Sequence, residues 1–145
     1  MAKHLILCDC SNSQVLDRDG LARAVGLTCS RVHTALCTSE IQAAATLMSG
    51  GETIIACGQE AARFADLAEE LGAAQPLCVD IRDRAGWSDD AGAAPKPGAT
   101  PKMAALLAEA LIAPAAYKTI DIVSQGAFLV IGRAAVALPA AENLA

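Results

Sequence analysis

Six cysteines stand in this chain of 145 residues, and four of them form a series: the pair Cys8 and Cys10, then Cys37, then Cys57 just before a glycine. Thiolates are the soft ligands of iron–sulfur clusters and zinc, and they are also the nucleophiles of thiol redox chemistry. The spacing holds neither the C-x2-C-x2-C run of bacterial ferredoxins nor the paired C-x2-C of a zinc ribbon. On spacing alone three uses stay open: metal ligation, a reactive dithiol at Cys8 and Cys10, and thiols that only fill space. Cys57 also precedes a predicted helix, whose N-terminus favours an ionised sulfur. Cys29, ahead of the second predicted strand, and Cys78, inside the fourth, read as packing residues.

The four thiols act together only if the fold gathers them. Short apolar runs of β type alternate with segments of helical period, the pattern of a mostly parallel sheet with helices on both faces. The expected class is α/β, with about five or six strands in a three-layer, Rossmann- or flavodoxin-like arrangement. The strands fall at residues 4–8, 31–36, 53–56, 76–81, 120–123 and 128–131. One helix starts at Asp17 or Asp19 and stops at Gly26. A second opens at Ser39, at capping-box spacing from Gln42, and carries Ile41, Ala44, Ala45 and Met48 on one stripe up to Gly50-Gly51. A third has Phe64, Leu67, Ala68 and Leu71 aligned and ends at Gly72; a fourth takes Thr100 as cap and Pro101 as first residue and stops at Pro114. Residues 88–99, rich in Asp, Ala, Gly and Pro, read as a mobile linker. Ligands of open parallel sheets bind at the carboxyl ends of the strands. Cys8 and Cys10 follow strand one, Cys37 strand two and Cys57 strand three, so the four thiols are expected along that one edge.

The blocks Cys8-Asp9-Cys10, Ala35-Leu36-Cys37, Ile54-Ile55-Ala56-Cys57 and Val79-Asp80-Ile81-Arg82-Asp83-Arg84-Ala85-Gly86-Trp87 together span residues 8–87. In order and approximate spacing they resemble the N-terminal region of the A-type subunit of heterodisulfide reductase and its polyferredoxin-like relatives. The resemblance implies a 4Fe-4S cluster held by Cys8, Cys10, Cys37 and Cys57, in a non-catalytic domain of an oxidoreductase that moves electrons. It implies other domains or subunits of a redox complex as partners, and FAD in the longer protein. That family commonly has a cysteine where Ala85 stands here, so the resemblance also implies a cluster altered, lost or completed from outside the domain.

Near the carboxyl end, residues 128–131 followed by Gly132 and a helical stretch have the order of a dinucleotide-binding fingerprint, which would place glycines at 132, 134 and 137. Only Gly132 remains, and the Cβ atoms of Ala134 and Ala137 would crowd a pyrophosphate. Residues 126–145 therefore read as a degenerate start of a following dinucleotide-binding-like segment, packed on a cysteine-bearing domain of residues 1–125. Weak cofactor binding through Gly132 and plain packing both stay open. The last residues carry no helix stop, the expectation for a piece of a longer protein.

Composition removes other classes. A hydrophobic fraction of 54% with 19% charged residues is not that of a disordered chain. A net charge of −5 has the wrong sign for displacing counterions from nucleic acid. No apolar run approaches the roughly 20 residues of a membrane span, and the first residues lack an export signal, so a cytoplasmic protein is expected. His4 and His33 have no serine or acid at triad spacing, and Cys57-Gly58-Gln59-Glu60 is not a G-x-S-x-G elbow, which sets acyl transfer aside. Asp80, Arg82, Asp83 and Trp87 either steady a ligand at the strand ends or form a loop salt bridge under an indole. Ser124-Gln125-Gly126 reads as a turn. The rivals to electron transfer are a docking module without metal and a thiol redox protein using Cys8 and Cys10; nothing in the sequence sets an oligomeric state.

Overall fold

His4–Cys8 forms β1, and from Leu5 onward every side chain is buried. A strand covered on both faces needs apolar residues at consecutive positions, which this run supplies. The computed structural model describes residues 3–86, 98–113, 119–121, 123, 126 and 128–144, and the chain forms two compact units, Met1–Ala113 and Pro114–Ala145. In the first unit β1 pairs in parallel with β2 (Thr28–His33) and β3 (Thr53–Ile55), and β3 with β4 (Leu77–Cys78), in the order β2-β1-β3-β4. The class is α/β, as expected.

Among the described residues the sheet has four strands instead of five or six. Residues 120, 121, 123 and 128–131 form no strand. Their side chains are mostly apolar, yet Ile120 is 83% and Leu129 84% exposed, and strand propensity acts only where a neighbour buries the pleat. β2 starts at Thr28 and not at Arg31, because Thr28 and Ser30 join the strand beside β1 despite their polarity; Cys29 thus lies inside β2 and not ahead of it. β3 ends at Ile55, and β4 is confined to Leu77–Cys78, after which the chain turns away into a π-helical turn, Arg82–Gly86.

Helices cover both faces. α1 (Arg18–Val25) is capped by the Asp17 carboxylate, which accepts from the Gly20 N–H at 2.9 Å, and it ends at Gly26 with φ of 66°. α2 (Ile41–Ser49) does not use the Ser39–Gln42 box: the residue before it is Glu40, whose carboxylate turns back to accept from the Thr34 and Ala35 N–H groups. α3 (Ala61–Leu71) ends at Gly72, and α4 (Thr100–Leu111) is preceded by Ala99 as cap, with Thr100 already helical. Alternation along the strands makes two cores. Leu5, Leu7, Ile54 and Val79 pack with Leu21 of α1 and Met103 and Leu107 of α4, while Ile6, Cys8 and Ile55 pack with Ala44 and Met48 of α2 and Phe64 and Ala68 of α3. Each large apolar side chain so buried stabilises by roughly 1.5–3 kcal/mol.

In the second unit α5 (Ala134–Leu144) contains Pro139 and buries no side chain. No helix among the described residues is long and apolar enough to cross a membrane. The linker over residues 88–97, Trp87, the helix stop at Pro114 and the turn at Ser124 and Gln125 lie outside the described residues.

Candidate functional site

The strand order reverses at β1, with β2 on one side and β3 and β4 on the other, and such a switch opens a crevice at the carboxyl ends of the strands. A cavity of about 180 Å³ lies there. Cys8, Cys10, Cys37 and Cys57 all line it, with Ser11, Thr38 and Arg82 among the polar residues around them.

The chain leaves β1 through a hook. Cys10, Ser11 and Asn12 have φ of 53°, 61° and 60°, the left-handed region that costs a non-glycine residue about 1–2 kcal/mol each. Hydrogen bonds hold it there. The Asp9 N–H donates to the His33 carbonyl at 2.7 Å, the Ser11 N–H to the Thr34 carbonyl at 2.6 Å, and the Asn12 N–H to the Asp9 carboxylate at 2.9 Å. Buried Gln14 donates from Nε2 to the Cys8 carbonyl at 2.9 Å and closes the hook from below. The result sets the Cys10 N–H 3.4 Å from the Cys8 Sγ, to which it donates.

Cys37 sits on the turn between β2 and α2, where the Thr38 and Glu40 N–H groups both donate to the Ala35 carbonyl at 3.0 Å. Cys57 sits on the turn between β3 and α3. The next residue must be glycine, since a Cβ on Gly58 would fall 2.5 Å from the Asp80 Cβ. That close approach lays the chain after β4 against the Cys57 turn. Arg82 reaches back from there: Nη2 donates to Gln59 Oε1 at 2.5 Å and Nε to Asp83 Oδ1 at 2.9 Å.

The thiols differ in acidity. The Cys10 side chain donates to Cys8 and, with the Leu36 and Cys10 backbone, pulls the Cys8 thiol down to about 6 against the opposing effect of burial. Cys10 is pushed up, because its proton is committed to Cys8 and burial disfavours a second charge. Burial pushes Cys57 and Cys29 up, and Cys78 to about 11 with Cys57 nearby. The hydrogen bond between Cys8 and Cys10 thus favours ionisation of Cys8 over that of Cys10. His33 is buried behind the β2 end, its ring nitrogens without a hydrogen bond and Nδ1 3.5 Å from Glu40 Oε2; burial lowers its pKa. His4 is at the opposite end of β1, with Nδ1 3.0 Å from Thr28 Oγ1.

The structure thus brings Cys8, Cys10, Cys37 and Cys57 around one space. Among the described residues, no three His, Cys, Asp or Glu side chains are placed to hold one metal ion. Cys29 packs in the core under α1 and α4, Cys78 against the core under α2 and α3, and all six thiols are free. Ala85 belongs to the core with Met103 and does not line the cavity. Gly132 forms a bend before α5, and a Cβ there would meet Ala137 Cβ at an ordinary 3.6 Å. Sequence reasoning passed over Ser11, Thr34, Thr38 and Gln59, although each stands within three residues of a site cysteine at a strand end. For Gln14 no sequence signal existed. Compared with protein-family models, curated proteins and solved structures, the chain has no match.

Proposed function

We propose that the chain is an electron-transfer domain holding a 4Fe-4S cluster in the thiol cavity, on a flavodoxin-like doubly wound sheet. One observation carries the reading: cysteines from three different strand ends line a single cavity at the switch point of a parallel sheet. The donor set fits, since four soft sulfurs line the cavity and soft thiolates suit iron–sulfur chemistry. Cys8, Cys10, Cys37 and Cys57 would be the ligands, and their sulfurs would have to draw together, since no three of them are placed to hold one metal ion in this structure. Such a cluster supplies one-electron storage. In that role the chain would hold the cluster between an electron donor and an acceptor of partner domains, with no bond of the chain made or broken. A reducing cytoplasm, a longer oxidoreductase with FAD, and docking to other redox subunits belong to the same proposal. The strand order, with a switch at β1, supports the flavodoxin-like part.

A second reading rests on the hook itself, which sets the Cys10 N–H against the Cys8 sulfur. In that reading Cys8 and Cys10 give two electrons and two protons to a disulfide substrate, which becomes two thiols as the Cys8–Cys10 disulfide forms. Anaerobic reconstitution with ferrous iron and sulfide separates the two. The expected result is iron and labile sulfide in equal amounts, a visible absorbance bleached by dithionite, and loss of both in Cys37→Ser and Cys57→Ser. Colourless, iron-free protein overturns the cluster; if it reduces a disulfide probe and Cys10→Ser does not, the dithiol reading replaces it.

A further inference from the structure

We propose that Arg82 sets the reduction potential of the thiol site, its fixed positive charge at the cavity wall favouring the state that holds one more electron. The inference rests on the reading of the cavity as a cluster site. Arg82 is the one basic side chain among the described residues that line the cavity, and it also lines the smaller cleft behind Cys10 and Cys57. Its place is fixed from two sides. Gln59, two residues past Cys57, accepts from Nη2, and Asp83 accepts from Nε. The turn from which it springs is fixed in turn: the Asp80 carboxylate accepts from the Asp83 N–H at 2.9 Å, and Asp80 lies against Gly58, where no side chain intervenes. Arg82 and the Cys57 turn are thus joined through Gln59 and through Asp80 at Gly58.

Burial makes the charge count. The Arg82 side chain is 21% exposed and its partner Asp83 51%, so solvent screens the carboxylate more than the guanidinium. Glu60 also lines the cavity and acts with the opposite sign, which leaves Arg82 as the one positive side chain among the described lining residues to offset it. A cation close to a cluster stabilises the added electron, and charge near the sulfurs is one of the levers that set the potential. Arginine suits this role better than lysine, because its planar fork holds two partners at once and stays charged at every working pH.

The test is a dithionite redox titration, followed by electron paramagnetic resonance, of the reconstituted wild-type chain, Arg82→Gln and Arg82→Lys, each assayed for iron. The expected result is equal iron in all three. At the wild-type midpoint the oxidised-to-reduced ratio in Arg82→Gln rises about tenfold, which is about 59 mV for one electron, and Arg82→Lys recovers more than half of the shift. An unchanged midpoint in Arg82→Gln at full iron content overturns the inference while leaving the cluster standing. Equal shifts in both variants overturn it too, since charge is then not the cause. So does a folded Arg82→Gln that takes up no iron, which makes the residue one of assembly. A wild-type chain that binds no iron removes the proposed function and this inference together.

Discussion

At Cys8 and Cys10 a two-residue spacing becomes a chemical asymmetry where the backbone turns left-handed from Cys10 onward, with the Cys10 side chain and N–H set on the Cys8 sulfur. In metal-free, reduced protein, thiolate absorbance should rise with a midpoint near pH 6, with Cys78 ionising only near 11. Cys10→Ala removes the donor with the largest effect and should move that first step upward; no thiolate below the ordinary range near 8.5 would refute the hook's role. The cysteine series and the place of Arg82 near the strand ends were legible in the sequence, since residue type and position after a strand are sequence properties. The three positive φ values were not, because the hook is held by bonds to the His33 and Thr34 carbonyls at the end of another strand, and the Gln14 bond to the Cys8 carbonyl had no signal either. Glu40 belongs to the same class. Arg31 and the Ala35 and Thr34 N–H groups hold its carboxyl at about 2, below the usual 4.5. Its folded pKa is depressed, so its contribution is full above pH 4.5 and fades as pH falls toward 2. Glu40→Ala should cost about 1–3 kcal/mol in urea unfolding at pH 7, and the gap to wild type should narrow between pH 5 and pH 2.

Elements explain why the turns, and not the strands, carry the site. β1 was readable to the residue because both faces are buried and polarity alternation is absent. β2 was misplaced because polar Thr28 and Ser30 are recruited by pairing, with the Ser30 hydroxyl accepting from the Leu7 N–H at 3.2 Å. The capping box at Ser39 failed for a similar reason, since a stronger local use of Glu40 closes the β2–α2 turn and so shapes the wall that carries Cys37. The most constrained of these junctions is Gly58. Gly58→Ala puts a Cβ against Asp80 Cβ, Cα and Cγ at 2.5, 3.2 and 3.2 Å, and main chain has little room to give. Overpacking of this kind costs typically 1–3 kcal/mol, and here the strain falls on the contact that places Arg82. The expected outcome is a stability in urea lowered by that amount together with loss of the Arg82–Gln59 bond. An unaltered midpoint and an unmoved Arg82 in a crystal structure of the variant would show that the two turns are not coupled.

Over the whole molecule, every buried side chain among the described residues lies at or before Leu107, within the unit Met1–Ala113. None of the described residues beyond it is buried, Val123 being 87% and Ile131 86% exposed, and α5 buries no side chain. Stability should then be carried by the two cores on the sheet faces. Both rest on β1: its odd residues pack under α1 and α4, its even ones under α2 and α3. Neither core can loosen without disturbing the strand that ends at Cys8, which couples the cavity to global stability. Leu107→Ala, although it sits on the face away from Phe64, should therefore lower stability by about 2–5 kcal/mol through the cavity left in a packed core. A chain truncated after Ala113 should in contrast keep its urea midpoint, with ΔG within about 0.5 kcal/mol of the full chain and a similar slope, because little buried surface is removed. It should also keep the thiolate step near pH 6, since the Cys8 and Cys10 hook and the groups that lower the Cys8 thiol all lie at or before Leu36. Loss of a cooperative transition on truncation, or disappearance of that step, would mean that residues beyond 113 hold the cavity in shape, against the distribution of burial.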